Sequence, residues 1–148
     1  MLSVRTFLPV IAIALTFLPA AASADNPVPL KGRARETITA LNVTAAGIEV
    51  TTIGEGNSTH LGRFFRAAHV LIRPDGTVTG ITGWLSADGD ALILSLEAVP
   101  LSATEFAGTY TIVFGNGRFA GASGGAEFLA STTDGVNYGL TFAGEIDY

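Results

Sequence analysis

The chain contains no cysteine. That excludes thiol chemistry, cysteine-ligated zinc, iron–sulfur clusters, disulfides and a cysteine-linked lipid anchor. Whatever folds here must rest on its core and its hydrogen-bond ladders. Histidine is scarce, with only His60 and His69, and Trp84 is the single tryptophan. Eight Lys+Arg stand against thirteen Asp+Glu, and no run of basic residues is visible. A weakly acidic chain of this kind argues against nucleic acid and against anionic lipid as partners. Long charge runs, linkers and low-complexity tracts are missing too. So is any sustained i, i+3, i+4 apolar pattern, which leaves little room for helix.

One apolar run does stand out. Phe7–Leu18 carries no charge, follows Arg5, and is broken by Pro19. Ala22-Ser23-Ala24 then supplies a small-x-small cleavage site, so residues 1–24 are expected to be an export signal. A spanning helix needs about 20 apolar residues, and this run is shorter. An N-terminal anchor is the alternative. Cleavage would leave residues 25–148, enough for one domain with one core. That domain keeps seven basic and thirteen acidic residues, a formal net charge of −6. The expected location is the periplasm or the medium.

From Pro29 onward, Gly, Thr, Val, Ile and Phe dominate, and turn signals recur at short intervals. Eight strands are expected, at 31–42, 47–53, 61–73, 77–86, 91–99, 106–114, 126–132 and 137–148. Gly54–Thr59 reads as a loop. Pro74-Asp75-Gly76, Asp88-Gly89-Asp90, Asn116-Gly117 and Asp134-Gly135 read as turns. In the clearest alternation, Phe106, Tyr110, Ile112 and Phe114 share one face. Eight short strands in a meander can close into an antiparallel barrel, which removes the sheet edges. Its interior is then filled by side chains or holds one small ligand. A two-sheet sandwich is the alternative.

Two segments carry a resemblance. One is Ser58-Thr59-His60-Leu61-Gly62-Arg63-Phe64, and the other is Phe114-Gly115-Asn116-Gly117-Arg118-Phe119-Ala120-Gly121-Ala122-Ser123-Gly124. With Ala87–Asp90 between them and Glu145–Tyr148 at the end, they resemble a family of exported bacterial proteins. The second segment is also similar to the Gly-Gly-Thr-Gly-x-Phe…Ala-x-Gly stretch of allene oxide cyclase and dirigent-like barrels. Phe114 replaces the first Gly of that stretch and Asn116 its Thr. The resemblance implies an eight-stranded barrel with an interior cavity, often a trimer or dimer. It transfers no catalytic residue. Gly115, Gly117, Phe119, Gly121 and Gly124 have a structural role in this motif: the glycines permit tight turns and Phe119 plugs one end of the core.

Several chemistries can be tested against their local requirements. Gly115–Ala120 fits G-x-G-x-x-A, yet a dinucleotide site needs a helix to begin there, and the following glycines make a poor one. Ser123 sits in a G-x-S-x-G-like stretch that needs the same missing helix and an acid–His pair. His60 and His69 are nine residues apart, on opposite faces of a regular strand, and cannot share a metal. No metal or cofactor is expected. Arg63, Arg66 and Arg118 could lie at the end of a barrel interior, facing Glu49, Glu97 or Glu127. Exterior ion pairs are the plainer use of these arginines. Trp84, Tyr110 and Tyr138 could line a cavity or fill a core. The ligand-contacting candidates are therefore Arg63, Trp84, Tyr110, Arg118 and Tyr138. Leu92-Ile93-Leu94 is apolar on both strand faces, which suggests an exterior covered by another copy.

Three functions follow. A non-enzymatic exported barrel would bind a small, partly apolar ligand or a protein partner. A cofactor-independent isomerase or cyclase would require an interior glutamate beside Arg63 or Arg118 in an open cavity. A small outer-membrane barrel, suggested by Leu140, Phe142, Ile146 and the terminal Tyr148, would require a polar lumen and an apolar exterior. For that last reading 124 residues is short, and stable membrane insertion is not expected.

Overall fold

The computed structural model describes residues 26–148, and the expected export signal lies outside them. Eight strands follow one another: β1 (Val28–Thr44), β2 (Gly47–Ser58), β3 (Gly62–Ile72), β4 (Val78–Ser86), β5 (Ala91–Pro100), β6 (Glu105–Gly115), β7 (Ser123–Thr132) and β8 (Asn137–Asp147). Every neighbouring pair is antiparallel, and β8 returns to β1, so the sheet is a closed barrel in simple meander order. The barrel expectation holds and the sandwich does not.

Alternation decides what lies inside. Leu30, Ala34, Val50, Phe64, Ala68, Trp84, Leu92, Leu94, Leu96, Tyr110, Phe128, Leu140, Phe142 and Ile146 all point into the barrel and are buried. Strand side chains alternate between the two faces, so each inward residue is two positions from the next. The exterior carries charge in mid-strand, at Lys31, Arg33, Arg35, Glu97 and Glu127. An outer-membrane barrel puts polar residues in the lumen and apolar ones outside, whereas this interior is mainly apolar. Such an interior does not favour the outer-membrane alternative.

Two strand expectations also change. Gly54–Ser58 is no loop but the second half of β2, paired to Gly32–Glu36 on one side and to Gly62–Arg66 on the other. The glycines serve packing here: Gly56 lies directly across from Phe64, and a Cβ at Gly56 would collide with that ring. Gly108 gives Phe128 the same room. On β6 the register slips by one residue, so that Ile93 opposes Phe114 while Leu94 opposes Ile112. Val113 is the extra residue of this bulge. Phe114 is thereby turned outward and is 58% exposed, away from the face of Tyr110 and Ile112.

The two ends differ. At one, the β6–β7 connection folds over the opening as a short 3-10 turn, Gly117–Phe119, and places Phe119 fully inside. Leu30, Leu61, Leu92 and Ile146 pack into this closed half. Phe64 and Phe142 flank Trp84, with ring centroids 5.1 and 4.9 Å away. Burying each such side chain contributes about 1.5–3 kcal/mol. The other end carries the β1–β2, β3–β4, β5–β6 and β7–β8 turns and has no comparable plug among the described residues.

Candidate functional site

A chamber of about 90 Å³ occupies the unplugged half. Its walls are apolar: Ile38, Val50, Val70, Ile72, Val78, Leu96, Phe106, Phe128 and Leu140, with Ala68, Ala98 and Ala130 leaving the space. Its polar members are Glu36, Thr52, Arg66 and Tyr138. Small residues at three wall positions keep the interior from closing, because packed cores leave few voids of this size.

Glu36, on β1, and Arg66, on β3, form an ion pair inside the barrel, through Oε2 and Nη1. Only 3% of the Arg66 side chain and 11% of the Glu36 side chain is exposed. Thr52, on the strand between them, donates its hydroxyl to the same Glu36 oxygen at 2.8 Å. Arg66 Nη2 donates to the Tyr110 hydroxyl at 3.2 Å. Arg66 Nε is buried without a hydrogen-bond partner among the described residues. Burial pushes the Arg66 guanidinium below its ordinary value and the Tyr110 phenol above its own, and the contact between the two groups opposes both shifts. Tyr110 also stacks on Phe128, with centroids 4.3 Å apart, and so ties this polar group to the aromatic core.

The five ligand-contacting candidates scatter. Tyr138 lines the chamber, where burial, and then Asp134, raise its phenol pKa. Tyr110 contacts the chamber's polar group through Arg66. Trp84 is buried in the closed half, and its Nε1 has no hydrogen-bond partner among the described residues. Arg63 is outside, bonded to Glu55 at 2.8 Å, with both side chains largely exposed. That contact lowers the pKa of Glu55 and raises that of Arg63. Arg118 sits at the plugged end, 3.1 Å from Asp90 and over the Phe119 ring. Glu49, Glu97 and Glu127 face outward and none meets these arginines; Glu49 instead accepts from Asn42.

The glycine motif is structural. Gly117 holds a positive φ of 58°, Gly121 one of 81° and Gly124 one of 115°. Gly115 lies so close to the Phe119 carbonyl that no side chain fits. Only the short 3-10 turn follows Gly115, not an α-helix, and Ser123 opens a strand, so neither the dinucleotide turn nor the nucleophile elbow is formed. His60 lies in the β2–β3 turn, between the Pro29 carbonyl and the Tyr148 hydroxyl, whereas His69 faces outward beside Thr51.

Glu36 was not among the expected residues, and Arg66 was considered only alongside the other arginines. Both were readable by parity. Leu30, Ala34, Glu36 and Ile38 share one face of β1, as Phe64, Arg66, Ala68 and Val70 share one face of β3. A charge in step with an apolar series is the signal.

No family model matches the chain, and no curated protein matches it. Among solved structures, the pterocarpan synthase dirigent protein GePTS1 superposes with a TM-score of 0.64 at 13% identity, over 93% of this chain and 96% of that one. At that identity the likeness is one of fold: this chain has a dirigent-like barrel.

Proposed function

We propose that this chain is an exported, non-enzymatic barrel that binds a small, mainly apolar ligand in the chamber of its open half. The observation that carries this is the neutralised polar group, Glu36–Arg66–Tyr110, set against an otherwise apolar chamber. Ligand sites are typically concave and apolar with a few placed polar groups. The Glu36 oxygen that meets Arg66 also accepts from Thr52, which suits a fixed anchoring group better than a mobile base. Native mass spectrometry of residues 25–148, purified from the native host without detergent, tests it. A retained small molecule is the expected result. A bare chain that also binds no apolar additive would overturn the reading.

One observation favours a second reading, a cofactor-independent isomerase or cyclase. An interior glutamate does stand beside an arginine at the chamber, though it is Glu36 with Arg66 rather than with Arg63 or Arg118. Turnover that Glu36→Gln abolishes while ligand binding persists would select this reading.

The proposal extends to a homo-oligomer. Phe65 and Leu85 are direct cross-strand neighbours on the outside, as are Ile93 and Phe114, and Ile81 lies on the same outer face. Phe65, Ile81, Leu85 and Phe114 are each about half exposed. Apolar area gathered on one side of a barrel suits contact with a second copy.

A further inference from the structure

The first strand runs past the barrel wall. β1 pairs with β8 only from Val28 to Thr37, but with β2 as far as Thr44. The β1–β2 register shifts between Ile38 and Ala40. Beyond that bulge, Leu41 lies opposite Val50 and Val43 opposite Ile48, which in turn opposes Ile72. Directly opposed residues of an antiparallel pair share a face. Leu41 and Val43 therefore stand on the face of Val50 and Ile72, which line the chamber. They are 64% and 81% exposed, so the strand forms an apolar lip at the open end.

Two further features define what fits. The chamber, at about 90 Å³, is smaller than the roughly 150 Å³ engineered cavity that holds a benzene ring. It takes only the end of a larger molecule, whose remainder must lie beyond the wall, where the lip is. At the chamber itself, the Arg66 charge is already met by Glu36, while among the described residues neither its Nε nor, by hydrogen-bond geometry, its Nη1 has an acceptor. A second carboxylate there would face Glu36, and among the described residues the chamber lining offers no cation besides Arg66 to offset it. A neutral oxygen acceptor can take the spare N–H without adding charge.

We infer that the ligand is an elongated, uncharged molecule, with a carbonyl-type oxygen at Arg66 and an apolar tail on the lip formed by Leu41 and Val43. This rests on the binding reading above and specifies the ligand it requires. It differs from a protein docking on the free edge of β1, because the exposed lip residues face the chamber side of the sheet.

Calorimetric titration of the mature chain with 2-pentanone, 2-undecanone and undecanoate tests it, beside a Leu41→Asp/Val43→Asp variant. Each methylene removed from water contributes about 0.8 kcal/mol, so even partial cover of six more gives at least tenfold. The expected results are at least tenfold tighter binding of the long ketone than of the short one, and at least tenfold weaker binding of undecanoate. The lip variant should lose the length preference and keep its affinity for 2-pentanone. Equal affinity for both ketones would overturn the inference while leaving the binding reading intact, and so would undecanoate binding as tightly as 2-undecanone. A lip variant that changes the oligomer size but not the length preference would make the lip a protein contact. Absence of binding by all three compounds would remove the binding reading and the inference together. Because the substitutions lie at exposed positions, a folded variant is expected, and its β-sheet circular dichroism verifies that.

Discussion

The two halves of this barrel are built from the same alternation and use it differently. In the closed half, the inward side chains include Leu30, Phe64, Trp84, Leu92, Phe142 and Ile146, glycines lie under some of the rings, and Phe119 is folded in to seal the opening. In the open half, alanines stand at wall positions, and the interior admits a carboxylate and a guanidinium. A buried ion pair seldom adds stability over an apolar pair of similar volume. The contrast teaches that one half is packed to hold the fold together while the other keeps a chamber open.

The comparison can be broken most strongly at the aromatic cluster. Trp84→Ala should cost about 3–5 kcal/mol, because Phe64, Tyr110 and Phe142 surround the ring and cannot all collapse into the space. Urea unfolding measures this. Next is the ion pair. Arg66→Met alone strands Glu36 and should cost about 3 kcal/mol, whereas Glu36→Leu combined with Arg66→Met should return close to the parent stability. If the double variant is as unstable as the single one, the pair is a structural element and not a retained polar anchor.

A matched pair of substitutions sharpens the contrast. Ala126→Leu, in the packed interior, should cost about 1–3 kcal/mol through overpacking. Ala130→Leu lies four residues further along the same strand, at the chamber wall, and should change stability by under about 1 kcal/mol. It should also abolish ligand binding. Thermal melts with and without ligand separate the two effects.

The smallest effect concerns the rim of the open end. The Asp134 carboxylate accepts from the Val136 and Asn137 backbone N–H groups and from the Asn137 amide, which holds its pKa well below the ordinary value of 3.8. A depressed carboxylate contributes stability above its unfolded pKa and loses it as the pH falls. Asp134→Asn should therefore flatten the pH dependence of stability below about pH 4 and leave that near neutrality almost unchanged. An acid titration followed by circular dichroism reads this out.

Much of the fold was legible. Turn residues fell at regular intervals, and the resulting strand count allowed a closed meander. Two local features escaped. Gly54–Ser58 looked like a loop because glycine weakens strand propensity, yet here Gly56 makes room for Phe64 across the pair. Phe114 appeared to share the face of Tyr110 because a bulge, which depends on the partner strand's register, leaves no mark in the alternation itself. The site was less legible. Arg63, Arg66 and Arg118 look alike in isolation. Their fates diverged because Arg66 lies in phase with Phe64 and Ala68, Arg63 lies out of phase, and Arg118 belongs to a turn. Tracing that phase through β1 as well would have pointed to Glu36.

The central claim, that ligand enters the open half while the closed half stays a packed core, is most directly tested by chemical-shift mapping. The mature chain would be titrated with 2-undecanone while backbone and side-chain signals are followed. Shifts confined to Glu36, Thr52, Arg66, Tyr138 and their neighbours, with Leu61, Leu92 and Phe119 unmoved, are the expected result. Shifts centred on Phe119, or on the outer face around Phe65 and Ile93, would contradict it.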